Sequence, residues 1–184
     1  MPEEEAAALR MAYEEASCIL EYGSGGSTVL ASELPSKQIV SVESDPDWAA
    51  MMQAWFDENP GASAVDLRHV DIGATKDWGH PVDNDGWRKY AGYPLKVWDM
   101  DIAPDVVLVD GRFRAGCALA TAFRTQKPVT LLFDDYAPRK AYHAVEEFFG
   151  QPEKIGRLAV FDISPMPIPA DRLLRVIELM SAPL

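Results

Sequence analysis

The stretch Cys18-Ile19-Leu20-Glu21-Tyr22-Gly23-Ser24-Gly25-Gly26-Ser27 decides how the rest of the chain is read. A short apolar run, Cys18 to Glu21, ends in a string of small residues, which is how a buried strand enters a tight bend. Gly23 and Gly25 can take positive φ, and without a Cβ they let other atoms come close to the backbone. Thr28 to Leu34 then reads as a helix with Pro35 just past its end. Alone, this unit is equally a plain strand-to-helix turn or a ligand-binding one.

Outward from it the alternation repeats. Upstream, Pro2 to Ser17 reads as a helix, with Ala6, Leu9, Tyr13 and Ala16 at helical spacing. Glu3, Glu4 and Glu5 stand where a helix amino terminus favours anions. Downstream, Gln38 to Glu43 is a second strand, and Asp45-Pro46 caps a helix through Phe56 that Asn59-Pro60-Gly61 stops. Val65 to Ile72 and Val129 to Phe133 read as strands, as does Asp105 to Asp110. Its continuous Val106-Val107-Leu108-Val109 run suits a parallel strand buried on both faces. Arg114 to Thr125 and Pro138 to Phe149 read as helices, and the irregular stretch Gly73 to Asp101 holds another at Trp87 to Tyr93. Gly156 to Ile163 and Leu173 to Leu179 read as strands joined only by Ser164 to Arg172, which contains Pro165, Pro167 and Pro169. A parallel crossover needs a longer link, so these two are expected to be antiparallel neighbours. The expected architecture is α/β, a Rossmann-like seven-stranded mostly parallel sheet with an antiparallel last strand and helices on both faces. Residues 1–184 are read as one domain, with an N-terminal helix at 1–17 and a lid-like insertion at 73–101.

The chain has 184 residues, of which 48% are hydrophobic, enough for a sizeable core. With 17 Lys and Arg against 29 Asp and Glu, its formal charge is −12. That argues against nucleic acid or a membrane as partner, since both are polyanionic. Two cysteines, each in an apolar segment, exclude a disulfide scaffold and fit a reducing compartment. Met-Pro-Glu-Glu-Glu has the wrong charge for a targeting peptide, and no apolar run reaches the roughly 18 residues of a membrane span. A cytoplasmic protein with a small-molecule substrate is therefore expected, its oligomeric state unspecified.

Five successive strands end in an acid: Glu21, Glu43, Asp71, Asp110 and the pair Asp134-Asp135. Ligands of a parallel sheet bind outside these carboxyl ends. Glu43 lies 20 residues after Gly23, where an acid accepts hydrogen bonds from the ribose hydroxyls of an adenosine, while Asp45 is available as the helix cap. Thr28 stands where a Gly-x-Gly-x-x-Gly pattern needs its third glycine, and there is no Gly-x-x-x-x-Gly-Lys loop.

With these residues in place, the chain resembles the class I S-adenosylmethionine-dependent methyltransferases from about Cys18 to Leu179. Glu21 to Ser27 is similar to the family's acid-x-Gly-x-Gly-x-Gly motif, with Ser27 in place of the last glycine. The resemblance implies that Glu21, Tyr22, Gly23, Ser24, Gly25 and Ser27 hold the methionine part of S-adenosylmethionine. It places Glu43 and Ser44 at the ribose, Asp71 and Ile72 at the adenine, and Asp110 beside the cofactor. Trp78, in the lid-like stretch, is expected near the adenine edge, and Trp87 and Trp98 are expected to pack beneath the loop. The implied activity is O-methylation of a small-molecule or sugar-like hydroxyl. A non-catalytic binding module of the same fold and a nicotinamide-dependent oxidoreductase are the alternatives.

Asp110 is followed by Gly111-Arg112-Phe113, not by the Pro-Pro-aromatic segment of methyltransferases that act on base amino groups. With Asp134 and Asp135 it resembles instead the acids of metal-assisted, catechol-type O-methyltransferases, so Asp110, Asp134 and Asp135 are candidate Mg²⁺ ligands. In the metal-free alternative Asp135 pairs with Arg112, Arg114 or Arg139, Asp134 caps a turn, and Asp110 or Asp134 serves as general base. His143 is a further candidate base, whereas His69 and His80 show no metal-ligand spacing. Arg112, Arg114, Arg139 and Lys140 gather at the same strand ends, either to receive an anionic substrate or to pair with the acids.

Overall fold

The computed structural model describes residues 1–183. Helix α1 (Glu3–Glu15) leads to strand β1 (Cys18–Tyr22), then α2 (Gly26–Glu33), β2 (Gln38–Glu43), α3 (Pro46–Glu58) and β3 (Val65–His69). A two-stranded ribbon, β4 (Thr75–Lys76) and β5 (His80–Pro81), and two short helices, α4 (Trp87–Tyr90) and α5 (Gly92–Leu95), precede β6 (Val106–Val109). The chain continues with α6 (Arg114–Arg124), β7 (Val129–Phe133), α7 (Glu146–Phe149), β8 (Glu153–Ile155), β9 (Leu158–Ile163) and α8 (Leu173–Met180).

The main sheet has seven strands in the order β3-β2-β1-β6-β7-β9-β8. β9 is antiparallel to both its neighbours, and the other six strands share one direction. This is the expected Rossmann-like sheet with a reversed last strand. The chain steps outward from β1 to β3 and returns beside β1 as β6, so a topological switch point opens between β1 and β6.

Strand alternation sorts the core into two layers. Ile19, Ile39, Val106, Leu108 and Leu132 pack against Leu9, Tyr13 and Ala16 from α1 and its end, and against Ala31 of α2. Their neighbours Leu20, Tyr22, Val40, Val42, Val107, Val109, Leu131 and Phe133 face the other way, onto Tyr90, Tyr93, α6 and α8. Asp45 caps α3 as expected, its side chain accepting from the N–H groups of Asp47 and Trp48.

The tail corrects the sequence reading. Leu173–Met180 is a helix, and the reversed strand is Leu158–Ile163, paired with a short β8 that the sequence analysis does not single out. Short apolar runs are ambiguous in period. Here the buried residues Val176, Leu179 and Met180 follow helical spacing, lying on α6 while Leu173, Leu174 and Ile177 stay exposed. Pro138 to Phe149, expected as one helix, begins in a turn and continues as a 3₁₀ segment at Lys140–Val145 and only one α-turn. Of the stretch 73–101, Tyr90, Tyr93, Val97 and Trp98 are core residues. Its second half is thus the crossover layer between β3 and β6, and Trp87, expected to pack there, is exposed.

Gly116 sets the α6–α8 contact. A Cβ there would lie 2.8 Å from the Met180 Cα, so the two backbones touch. Gly116→Val is expected to destabilise the protein by about 1–3 kcal/mol through overpacking. Urea unfolding checks this, and an unchanged midpoint contradicts the contact.

Candidate functional site

The parallel strands deliver their loops to one edge. At the switch point, Gly23 takes φ +98°, and a Cβ on it would lie 2.8 Å from the Gly111 Cα and N. The turns after β1 and β6 therefore meet backbone to backbone, which only glycine allows. The Val42 carbonyl accepts from the Gly23 N–H at 2.8 Å and from the Tyr93 hydroxyl at 3.2 Å, tying the ends of β1 and β2 to the crossover layer. Beyond this contact, a Cβ on Gly25 or Gly26 would meet nothing within 4 Å, so the loop is open above. The start of α2 carries no side-chain acceptor, and Thr28 Oγ1 instead takes the Gly25 N–H at 2.9 Å. Open space beside the free N–H groups of a helix start is a setting for a carboxylate such as that of a methionine moiety.

The expected residues divide by environment. Glu21 is fully buried. Tyr13 donates to its Oε1 at 2.6 Å, its Oε2 has no partner, and burial pushes its pKa up. The Tyr22 side chain points into the core, donating to the Pro94 carbonyl and accepting from Trp98 Nε1, both at 2.7 Å. Ser24 joins Ser41 through their hydroxyls at 2.8 Å, and its N–H donates to Glu43 Oε2 at 3.2 Å. Glu43 Oε1 accepts from the N–H groups of Ser44 at 2.6 Å and Asp45 at 2.9 Å, so Glu43 binds its own turn together while Oε2 keeps a free lone pair. Ser27 is half-buried on the first turn of α2. Asp71 is exposed and paired with Lys89 at 2.6 Å, which with the Gly73 N–H holds its pKa low. Ile72 beside it is buried.

The ribbon β4–β5 lies over these ends. Gly79 packs on Ser44, whose hydroxyl donates to the Gly79 carbonyl at 3.3 Å. His80 reaches Arg112, with Nε2 2.5 Å from Nη1. Trp78, directly before Gly79, has φ +65° and 88% exposure. Gly79 and His80 are the ribbon residues that touch the strand ends. A hollow of about 440 Å³ between the starts of β2 and β3 lies at the opposite edge of the sheet, away from all these residues.

The three acids expected to ligate Mg²⁺ each face guanidinium groups. Arg157 pairs with Asp134 through two hydrogen bonds, at 3.0 and 2.8 Å, and with Asp135 at 3.0 Å. Arg139 meets Asp135 at 3.1 Å, and Arg114 lies 3.1 Å from Asp110 and 3.7 Å from Asp135. Among the described residues no group of three or more acidic, histidine or cysteine side chains is placed to hold a metal. Asp134 is buried and held by two hydrogen bonds from Arg157. Asp110 differs. Its side chain is 39% exposed, yet surrounding protein desolvates the carboxyl group and raises its pKa to about 6, with Arg114 opposing the rise and Asp134 and Asp135 adding to it. His143 is spent on stacking against Tyr136 and on the Tyr136 carbonyl at 3.1 Å.

Arg157, Gly79, Gly111 and His80 are the site residues that the sequence reading did not assign. Gly111 had a signal, a glycine directly after a strand-end acid. Arg157 had none, because it follows Asp134 by 23 residues and arrives through the β8–β9 turn.

A protein from Silicibacter pomeroyi described as methyltransferase-like matches this chain with a TM-score of 0.96 and 59% identity, over 100% of this chain and 96% of its own. An O-methyltransferase from Bacillus cereus in complex with SAH matches with a TM-score of 0.51 and 12% identity, over 80% of this chain and 62% of its own. Cofactor-bound Rv0187 from MTB matches with a TM-score of 0.58 and 16% identity, over 90% and 82%. At their low identity the last two speak for the fold alone. No protein-family model and no curated protein matches the chain. Among the described residues no helix is long and apolar enough to cross a membrane.

Removing the guanidinium from Asp134 tests the ion-pair reading. Arg157→Met is expected to cost on the order of 2–3 kcal/mol, less than for a wholly buried pair because the arginine is partly exposed. Denaturant titration measures it, and a neutral substitution would show that Asp134 does not depend on Arg157.

Proposed function

The chain belongs to the class I S-adenosylmethionine-dependent methyltransferase family, and on that premise we propose that it methylates a hydroxyl group of a small molecule. Glu21 to Ser27 and the start of α2 hold the methionine part of the cofactor, Glu43 and Ser44 the ribose, and Asp71 with the Ile72 N–H the adenine. The support for the first is the open space over Gly25 and Gly26. The support for the second is the lone pair that Glu43 Oε2 retains after accepting from Ser24. When bound, S-adenosylmethionine supplies a methyl group on a good leaving group, so the protein's share is positioning and the handling of one proton.

The observation that carries the choice of a hydroxyl is Asp110. It ends β6 at the switch point, remains partly open to solvent, and has a pKa raised to about 6. A carboxylate of that basicity is ionised at neutral pH and accepts a hydroxyl proton more readily than an ordinary aspartate. Arg114 holds it from one side at 3.1 Å, leaving the other oxygen for the acceptor. A proton taken there passes to solvent. Metal assistance is not part of this proposal, because the neighbouring acids are engaged by Arg139 and Arg157.

Calorimetric titration with S-adenosylhomocysteine is expected to show saturable binding that weakens by about tenfold or more in Glu43→Ala, the scale of a hydrogen bond to a charged group. With an acceptor found by screening hydroxyl compounds, kcat/KM is expected to rise as pH increases through about 6 and to level above it, as Asp110 ionises. Asp110→Asn should lower it by roughly 10²–10⁴-fold. A folded protein that does not bind S-adenosylhomocysteine overturns the cofactor assignment. A variant with full activity overturns the base.

A further inference from the structure

Four arginines stand at the ends of β6, β7 and β9, and three of them meet acids. Arg114 reaches Asp110 and Asp135, Arg139 reaches Asp135, and Arg157 reaches Asp134 and Asp135. Arg112 meets none among the described residues. It is only 7% exposed, and its Nε–H is buried without an acceptor. Burial and then the like charge of Arg114 lower its pKa, Tyr142 and Tyr93 oppose the shift, and Arg139 adds a little to it. Its Nη1 has a single partner, His80 Nε2.

That partner is an uncharged stand-in. A guanidinium has no acceptor atom, so the imidazole nitrogen must accept, which requires neutral His80 with its proton on Nδ1. Burial and the surrounding cations Arg112, Lys76, Arg139 and Arg114 keep His80 neutral by lowering its pKa. The chain has a formal charge of −12, yet among the described residues no acid pairs with Arg112. Buried guanidinium groups are ordinarily matched by a carboxylate or a phosphate, whose paired oxygens fit the fork.

We infer that Arg112 receives an oxyanion, a carboxylate or a phosphate carried by the methyl acceptor, and that the His80 nitrogen occupies the place of this anion until it binds. The inference rests on the methyltransferase reading for the role of the anion's bearer, and on the environment of Arg112 for the site itself. Asp110 and Arg112 are two residues apart on one turn, so hydroxyl and anion are handled by the same short segment. The acceptor class is then a small hydroxy acid or a hydroxyl-bearing phosphate ester. His80 is displaced on binding, and the ribbon β4–β5 moves with it.

The test uses the whole protein at low ionic strength, with and without S-adenosylhomocysteine. Inorganic phosphate and acetate are titrated separately, by calorimetry and by following the His80 ring nitrogens by NMR. Saturable binding of either anion is expected, with a shift of the His80 Nε2 resonance and a loss of at least about tenfold in affinity in Arg112→Gln and Arg112→Met. Arg175→Gln, on the exposed face of α8, is the control and should bind as the parent does. Phosphate alone, or acetate alone, names the anion class. Arg112→Met is further expected to keep or raise the melting temperature, because it removes a buried charge that no acid compensates. A fall in melting temperature overturns the inference, since the guanidinium would then serve the fold. So does the absence of binding by both anions, or binding that both variants retain. Failure to bind S-adenosylhomocysteine while the anion arm succeeds strikes the methyltransferase reading and leaves the anion site standing.

Discussion

Crowding of carboxylates along one edge of a parallel sheet is the constraint on which this structure turns. Parallel strands end side by side, so acids that close successive strands are forced together, where charge repulsion is weakly screened. Asp110, Asp134 and Asp135 are such a group. Arg114 and Arg139 pair with Asp110 and Asp135, and the counter-charge of Asp134 depends on the one strand that runs backwards. β9 pairs antiparallel with β7, placing Ala159 opposite Phe133, so β9 begins at the edge where β7 ends. The β8–β9 turn, with Gly156 at φ +55°, thereby carries Arg157 to Asp134. The buried Glu5 of α1 accepts the Arg157 N–H at 2.9 Å and holds this turn in place. The reversed strand is therefore also the source of the counter-charge that makes Asp134 structural.

Once Arg157 and Arg139 are committed, the acids are no longer equivalent. Asp134 is locked, Asp135 is shared among guanidinium groups, and Asp110 keeps a partly exposed carboxyl group whose desolvation raises its pKa. Phe113 and Asp135, on the turns after β6 and β7, both adopt positive φ, as does Trp78 on the ribbon above them. Such conformations cost on the order of 1–3 kcal/mol for bulky residues and persist only where packing enforces them. At Phe113 that packing is complete, with the ring buried against Tyr90 and Tyr93. The crossover layer from 87 to 99 thus shapes the site from beneath, while the ribbon 75–81 touches it from above at Gly79 and His80.

Much of this was legible in the chain. The glycine turn after Cys18 to Glu21 is a local feature, and so are the Asp45-Pro46 cap and the Val106 to Val109 strand. Each depends on neighbours within a few residues, and each appears where the sequence places it. The tail misled because Leu173 to Leu179 is short and apolar, and only the groove beside Gly116 on α6 turns it into a helix. The Mg²⁺ expectation could not be weighed from the sequence for a related reason. Three aspartates near strand ends form a metal site or an ion-pair cluster according to where distant arginines arrive. The Trp78 ring is 88% exposed, and it is the following residues, Gly79 and His80, that reach the strand ends.

By itself the sequence determined the alternation of the main strands and helices as far as β7, the parallel core and the row of acids at its carboxyl ends. Those follow from periodicity and from residue types a few positions apart. Tertiary structure alone decided which strand is reversed, which acid remains available at Asp110, and which arginine is left without an acid at Arg112. These outcomes depend on Coulombic pairing between residues far apart in the chain, such as Asp134 with Arg157 and Arg112 with His80. No local pattern encodes them, because pair geometry exists only once the sheet has brought the partners to one edge.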